Sequence, residues 1–203
     1  MKERQFISEN IRRAQLEQFL EKEFSRAGYS HAEIQRTPLA MRITIFAQKP
    51  GMIIGRGGKT IDTMTETIKQ KFGFENPQLD VQEVENPDLD PHIVSKQIAA
   101  ALERGLNTKR VIGFTMQRVI DAGAVGIAIR LAGKIGGEMG RIEKYSTGYL
   151  RWAGDPAETD VLTAYANTTV KLGKIGVQVR ILINPPKELE SMKRILAQTV
   201  GGK

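Results

Sequence analysis

A short glycine-rich turn carries the clearest chemical signature in this chain. Gly55, Arg56, Gly57 and Gly58 form a GxxG pattern with a cation inside it, and Lys59 follows at once. Because glycine has no Cβ, the backbone of such a turn can come close to a ligand. A helix beginning after the turn presents unpaired N–H groups and the positive end of its dipole at the same place. These features together predict a phosphate-binding site.

Two isoleucines just before the turn supply the second half of the predicted site. Ile53 and Ile54 offer an apolar wall on which a nucleic-acid base can lie. A groove with a phosphate clamp on one side and aliphatic side chains on the other binds about four nucleotides of a single strand, which is the binding mode of KH domains. We therefore predict RNA binding by Ile53, Ile54 and residues 55–59.

A GxxG turn by itself is a weak signal, because glycine turns with a purely structural role are common. The chain has no Gly-x-x-x-x-Gly-Lys-Ser/Thr segment, which excludes a P-loop. The dinucleotide-binding fingerprint is also incomplete, because Thr60 stands where it needs a third glycine. The surrounding elements therefore have to decide between a binding turn and a structural one.

The elements predicted around the turn follow an order that positions it. Alternating residues predict a half-buried strand over 41–47, and apolar residues spaced by 3, 4 and 4 predict an amphipathic helix over 59–72. A further strand is predicted over 79–84. A helix over about 9–27 and a strand over 31–36 come first. This order is that of a type II KH domain.

The second half of the chain reads as a separate module. Asp90 and Pro91 predict a helix start, with Asp as the N-cap and Pro at the first helical position. That helix is predicted to reach about Leu106, with Val94, Ile98, Ala101 and Gly105 on its inner face, and a second helix runs from about Lys109 to Ala122. Two glycine-flanked turns, over 133–136 and 173–176, each hold a lysine. Four β segments are predicted, over 125–131, within 141–152, over 161–172 and over 177–183.

The predicted fold class is therefore α+β, a type II KH domain followed by a domain of two helices and an antiparallel sheet. We assign residues 1–16 to the start of the N-terminal helix and residues 17–86 to the KH domain. Residues 87–187 form the second, basic domain, and residues 188–203 form a tail that looks helical from Lys187 onward.

The excess of positive charge lies in the second half of the chain. The 203 residues carry a net charge of +7. Residues 1–104 carry 15 basic and 15 acidic side chains, so their charges balance. Residues 105–187 carry 12 basic and 6 acidic side chains. A basic surface on one domain is a physical argument for a polyanionic partner. Ordinary solubility charge explains the same count equally well.

Other features of the composition limit the class of protein. The chain has no cysteine, which excludes disulfides and thiolate metal sites and fits a reducing compartment. No apolar run approaches the roughly 20 residues of a membrane span, and no signal peptide is recognisable at the start. We predict a cytoplasmic protein with no membrane partner.

Four segments, in a fixed order across roughly residues 8–185, resemble one known family. They are KPGMIIGRGG at 49–58, AGAVGI at 122–127, LAGKIGG at 131–137 and GKIGVQV at 173–179. With these segments the chain resembles the small-subunit ribosomal protein S-three family. The segment WAGDP at 152–156 and the lack of an N-terminal extension are closer to its archaeal and eukaryotic branch than to its bacterial one.

The resemblance implies a structural protein of the small ribosomal subunit that binds rRNA in the subunit head. It also implies contact with neighbouring head proteins and a share in lining the channel through which mRNA enters. Family members contribute basic residues to that channel from the start of the second helix of the C-terminal domain, and the matching positions here hold Lys109 and Arg110. A third basic position of the bacterial pattern falls on Gly113, which weakens the expectation that the chain helps to unwind mRNA.

Several basic residues of the second domain are further candidates for rRNA contact, with solvated surface as the alternative. Arg130 and Arg180 stand opposite the apolar positions of their strands and should point outward. Lys134 and Lys174 sit in the two glycine-flanked turns. Tyr149 and Trp152 could stack on a base, but for both we expect partial burial in the core instead. The candidate rRNA contacts are Lys134, Arg130, Arg141, Lys144, Arg151, Lys174 and Arg180.

Catalysis receives no support from the sequence. His31 and His92 are the only histidines and fall in different elements, so we predict neither a metal site nor a nucleophile, no cofactor and no enzyme. Two alternative functions stay open at this point. One is a free KH-type regulator that binds mRNA or small RNA, and the other is a nucleic-acid-processing lyase, for which no residue constellation stands out.

Overall fold

The computed structural model describes residues 2–36, 40–74 and 77–184. The chain divides into two compact units, the first ending at Pro87 and the second beginning at Asp88.

The first unit is a three-stranded sheet with helices. Its strand order is β1-β2-β3, in which β1 and β2 are antiparallel and β2 and β3 are parallel. The resulting order α-β-β-α-α-β is the one expected for a type II KH domain. The elements are α1 (Lys2–Glu23), β1 (Tyr29–Arg36), β2 (Met41–Ala47), α2 (Pro50–Ile54), α3 (Lys59–Phe72) and β3 (Pro77–Glu83).

The core of the first unit lies between the sheet and the helices. Leu16 and Leu20 of α1 are fully buried, as are Ile43 and Ile45 of β2 and Ile68 of α3. The spacing of four on α1 places both leucines on one helix face, and the spacing of two on β2 places both isoleucines on one sheet face. The short helix α2 and the turn after it are positioned by this core.

Two elements of the first unit match their predicted bounds, and others do not. β2 and α3 begin and end at the predicted residues, and Gly73 ends α3 with a φ of 64°. The helix predicted over 9–27 instead spans Lys2–Glu23, because no glycine or proline interrupts its first turns. A 3-10 turn over Ser25–Ala27 follows it, and β1 begins at Tyr29, two residues earlier than predicted.

The second unit packs two helices on one face of an antiparallel sheet. Its strand order is β5-β4-β7-β6, so β4 and β7 are the central strands. Every neighbouring pair is antiparallel. The elements are α4 (Pro91–Glu103), α5 (Thr108–Asp121), β4 (Gly126–Gly133), β5 (Arg141–Gly148), α6 (Asp155–Thr159), β6 (Val161–Val170) and β7 (Gly173–Leu182).

The core of the second unit is formed by the helices and the inner face of the sheet. Alternate residues of β4 point to the helices, and α5 contributes Ile112, Met116 and Val119, as predicted from their spacing. Asp90 caps α4 as predicted, since its carboxylate accepts a hydrogen bond from the His92 N–H at 2.8 Å. The buried residues contributed by β4 are Ile127, Ile129 and Leu131.

Two predictions for the second unit were wrong in detail. Val94 and Ile98 are buried as predicted, but α4 ends at Glu103, so Gly105 lies beyond it and is exposed, and the buried face also includes Ile93 and Leu102. The predicted turn over 173–176 is the first part of β7, because Gly173 and Ile175 are paired with neighbouring strands. The strand predicted within residues 141–152 is confirmed as β5, which spans Arg141–Gly148. The tail predicted over 188–203 lies outside the described residues.

Candidate nucleic-acid interface

The GxxG turn has a backbone that only glycine adopts without strain. Gly55, Gly57 and Gly58 have φ values of 74°, 64° and 79°, and residues 56–58 form a 3-10 turn between α2 and α3. A Cβ built on Gly55 would lie 2.0 Å from the Thr60 Oγ1, whereas one on Gly57 would meet nothing within 4 Å. Gly55 is therefore a packing position, and Gly57 presents open backbone to solvent.

The charge at this turn is arranged to attract an anion. Arg56 and Lys59 are both exposed, and the preceding Lys49 is exposed as well. Gly58 is the N-cap of α3 and has no side chain, so the first N–H groups of that helix receive no side-chain cap. Asp62 is the acid in the first turn and faces the helix dipole. The turn can thus offer backbone donors and two cations to a phosphate.

The apolar wall beside the turn differs from the prediction. Ile53 is fully buried in the core of the first unit, so its side chain is not available to a ligand. Ile54 is 41% exposed, and Met52, which the sequence prediction did not include, is 53% exposed. Successive residues of a helix point about 100° apart, so burying Ile53 leaves its two neighbours flanking it at the surface.

The start of α5 presents its two cations through their side chains. Lys109 and Arg110 are exposed. Asn107 is the N-cap, and its Oδ1 accepts hydrogen bonds from the N–H groups of Lys109 at 3.1 Å and Arg110 at 3.4 Å. Because these backbone donors are already occupied, a phosphate at this helix end would be held by the ammonium and guanidinium groups. Gly113, one turn further, is exposed and adds no charge.

The sheet of the second unit has a face that points away from the helices, which we call the open face. Its members alternate with the buried positions of the strands. It carries four basic side chains and no acidic one. The members are Gly126, Ala128, Arg130 and Ala132 on β4, Ile142, Lys144, Ser146 and Gly148 on β5, Val161, Thr163, Tyr165, Asn167 and Thr169 on β6, and Lys174, Gly176, Gln178, Arg180 and Leu182 on β7.

The open face brings together four of the seven candidate rRNA contacts. Arg130 is directly opposite Lys144 on β5 and Gln178 on β7. Lys174 and Arg180 lie further along β7 on the same face. Among the described residues, no ion pair joins any of these four cations to an acid. The face is therefore a surface of uncompensated positive charge.

The other three candidates lie elsewhere. Arg141 is opposite Gly133 and has the strand parity of the inner face, although it is exposed at the end of β5. The side chain of Arg151 is only 19% exposed, and its Nη1 lies 4.0 Å from a carboxylate oxygen of Asp160, so it is held within the unit. Lys134 is exposed just beyond β4. The basic face of the sheet thus contains four of the seven basic residues that the sequence suggested, and Arg141, Arg151 and Lys134 lie outside it.

The surroundings of His31 and the spacing of the acids differ from those of a metal site in the part of the chain that the structure describes. The His31 ring stacks on Phe46 with centroids 4.4 Å apart, and its Nδ1 lies 2.8 Å from the Ser30 Oγ. Across residues 2–36, 40–74 and 77–184, no three His, Cys, Asp or Glu side chains cluster as metal ligands would. In the same ranges, no helix combines the length and the apolar character needed to cross a membrane.

Comparison with known proteins identifies both units. Residues 15–89 match the family model described as KH domain, and residues 98–181 match the one described as ribosomal protein S3, C-terminal domain. The order of these two matches agrees with the predicted fold class.

Curated relatives cover nearly the whole chain. Small ribosomal subunit protein uS3 of Methanocaldococcus jannaschii is 46% identical over 90% of this chain and 88% of the relative. The protein of the same name from Methanococcus aeolicus is 41% identical over 100% of this chain and 96% of the relative. That of Natronomonas pharaonis is 44% identical over 91% of this chain and 60% of the relative. Such proteins are structural components and not enzymes, which confirms the prediction that this chain is not an enzyme. The chain belongs to the archaeal branch of the small ribosomal subunit protein uS3 family.

Proposed function

We propose that this chain binds rRNA in the head of the small ribosomal subunit and helps to line the channel through which mRNA enters. The observation that carries the rRNA part is the open face, where four cations and no acid share one side of a sheet. Such a surface lowers the free energy of a bound phosphate backbone by releasing its counterions. Contact with neighbouring head proteins and with mRNA belongs to the same proposal.

The start of α5 supports the mRNA part of the proposal. Lys109 and Arg110 are exposed and neighbouring, and Asn107 already satisfies their backbone N–H groups. Any contact with a phosphate at this helix end is therefore made by the side chains and not by the backbone N–H groups. Flexible side chains can follow the phosphates of a moving strand. A contact of this kind carries no sequence information, which suits a channel that must pass every mRNA.

The GxxG turn is the third RNA contact that we propose. Arg56, Lys59 and the uncapped N-terminus of α3 would hold one phosphate, and Met52 and Ile54 would lie against the adjoining base. In the assembled subunit the bound strand is rRNA or mRNA, and the geometry of the turn suits either.

Sedimentation tests the ribosomal assignment. The chain, expressed at its natural level with a small tag, should travel almost wholly with small subunits and stay with them in moderate salt. If most of the chain instead sediments free of subunits, the chain is a regulator that binds RNA outside the ribosome, and the proposal is wrong.

Site-specific crosslinking tests the channel. A photoreactive residue at position 110 should crosslink to mRNA in subunits that carry a bound message, and one at position 171 on the exposed β6–β7 turn serves as the control. Crosslinks to mRNA from position 171 but not from position 110 would exclude the start of α5 as the mRNA contact.

A further inference from the structure

We infer that the open face is a stacking platform for unpaired RNA bases, with Tyr165 and Trp152 as the stacking side chains. This inference deepens the proposed function and rests on it, because it names the kind of RNA that the basic surface takes. A basic face by itself binds the phosphate backbone of any nucleic acid. Two exposed aromatic rings at the same face can also stack on unpaired bases, so we expect this face to bind single strands more tightly than duplexes.

The like charges on the open face repel one another in solvent, and a bound polyanion would relieve this repulsion. Arg130 and Lys144 are directly opposite each other on antiparallel strands, and like charges at such positions destabilise a sheet. No acid on this face compensates them. A phosphate lying between the two side chains would replace this repulsion with attraction. The pair is therefore better suited to the bound state than to the free protein.

Tyr165 lies in the same row of the sheet as these cations. It pairs with Gln178, which pairs in turn with Arg130. The Gln178 Nε2 donates a hydrogen bond to the Tyr165 hydroxyl at 3.0 Å, which limits the directions that the phenol can take. The ring is nevertheless 68% exposed, so its face is available to a base. Arg130 and Tyr165 are two strand spacings apart, about 10 Å, so one nucleotide can place its phosphate at the cation and its base at the ring.

Trp152 provides the second ring from the segment that follows β5. It is 60% exposed, and the guanidinium of Arg180 lies 5.8 Å from its ring centroid. This cation–π contact holds the indole beside the open face and places a positive charge next to it. The segment passes over one end of the sheet, where Leu150 packs with Ala128 and Leu182.

The central strands leave room for a base between the flanking side chains. Ala132 and Gly176 pair with each other on β4 and β7, next to the row that holds Arg130. Gly176 has no side chain and that of Ala132 is a single methyl group, so this part of the face is a shallow depression between the longer side chains around it. A base stacked on Tyr165 can therefore extend diagonally across the central strands over Gly176 and Ala132.

Single-stranded RNA fits these observations better than a duplex or a protein. In a duplex the base faces are stacked within the helix, so neither ring could be used. An acidic protein would neutralise the cations but gives no specific role to exposed aromatic rings. Sheets with aromatic side chains and flanking basic residues are a recurring solution for unpaired RNA.

The single tryptophan makes the platform directly measurable. Trp152 is the only tryptophan in the chain, so the fluorescence of the full-length protein reports on this position alone. Titration with a short single-stranded oligoadenylate should quench that fluorescence, because a stacked base is in contact with the indole. Replacing Tyr165 by alanine should weaken the binding by roughly tenfold, the scale of losing one stacked base. Tyr165→Phe keeps the ring and should change the affinity by less than about twofold.

A charge-matched pair of variants tests the basic half of the platform. Lys144→Glu should weaken the quenching isotherm, whereas Lys69→Glu, the same change on the last turn of α3, should leave it unchanged. Equal weakening by both variants would mean that only the net charge matters, which would overturn the assignment to this face.

Three outcomes would overturn the inference. RNA binding without any quenching of Trp152 would leave the proposed function intact but remove the platform. Quenching by an RNA duplex as strong as that by the single strand would exclude base stacking. Quenching by polyglutamate with an affinity equal to that of the oligonucleotide would assign the face to an acidic protein. Failure to bind any RNA, together with absence from small subunits, would contradict the proposed function itself.

Discussion

Gly55 is packed directly against Thr60 in the turn that joins α2 to α3. A Cβ on Gly55 would lie 2.0 Å from the Thr60 Oγ1 and 2.8 Å from its Cβ. The backbone of Gly55 also has φ 74° and ψ −175°, a combination that is essentially restricted to glycine. Gly57 in the same turn has φ 64° and ψ 27°, and nothing lies within 4 Å of its virtual Cβ.

The two glycines should therefore respond differently to substitution. Gly55→Ala should lower the free energy of unfolding by about 3 kcal/mol, because it adds both backbone strain and overpacking. Gly57→Ala should lower it by only about 1 kcal/mol, the cost of a left-handed residue without a clash. Urea denaturation of the full chain measures both values. Equal losses at the two positions would contradict the packing of Gly55 on Thr60.

The open position of Gly57 makes a clean test of RNA binding at the turn possible. The double variant Arg56→Asp and Gly57→Asp should weaken single-strand RNA binding by about tenfold or more, because it replaces a cation with two acids beside the bound phosphate. It should still fold, since aspartate tolerates the left-handed region better than most residues. Affinity measured by fluorescence anisotropy with a labelled oligonucleotide gives the answer.

A control with the same change of charge belongs with this variant. Lys69→Asp with Gln70→Asp introduces two acids and removes one cation as well, but at the exposed C-terminal end of α3, away from the turn. This control should bind RNA nearly as well as the parent chain. An unchanged affinity of the turn variant would mean that the GxxG segment has a structural role only.

Removing the two cations at the start of α5 should change how RNA binding depends on salt. With Lys109→Gln and Arg110→Gln, the slope of log K against log salt should become shallower by about 1.4, since each phosphate contact to a single strand contributes roughly 0.7. Lys22→Gln with Arg26→Gln removes two neighbouring cations from the region where α1 ends, and its slope should match that of the parent chain. Slopes that fall equally in both variants would show a general charge effect.

Tyr29 should make the first unit sensitive to alkaline pH. Burial raises the pKa of its phenol well above the usual value of 10, and the nearby carboxylates of Glu17 and Glu21 raise it further. The folded chain thus holds this proton at a pH where the unfolded chain has lost it. The stability contributed by Tyr29 is complete below pH 10 and falls by about 1.4 kcal/mol for each pH unit above it.

The comparison of phenylalanine variants isolates this effect. Tyr29→Phe should remove this part of the alkaline destabilisation, so its free energy of unfolding should fall less steeply above pH 10 than that of the parent chain. Tyr165→Phe, at an exposed position, is the matched control and should follow the parent curve. Parallel curves for all three proteins would contradict the assignment to Tyr29.

The sequence by itself determined the local elements and the family. The strand β2 and the helix α3 begin and end where alternation and helical spacing predict, because each signal depends on residues within a few positions of one another. Gly73 and Asp90 mark helix ends for the same reason: a left-handed φ and an N-cap are decided by the local backbone. The order of the four segments that begin at residues 49, 122, 131 and 173 was enough to indicate the family, which the similarity to uS3 proteins confirms.

Only the tertiary structure decided which neighbouring side chains are buried and which residues share a face. Ile53 and Ile54 are equivalent in the sequence, but only Ile53 packs into the core, because α2 lies against the sheet on one side. Arg130, Lys144 and Gln178 form one row because β4 pairs with β5 and with β7, whereas Arg141 pairs with Gly133, three positions along, and has the parity of the other face. Such pairing joins residues far apart in the chain, so no local pattern of spacing contains it. The turn could therefore be predicted from its residues, whereas the open face exists only once the strands are in register.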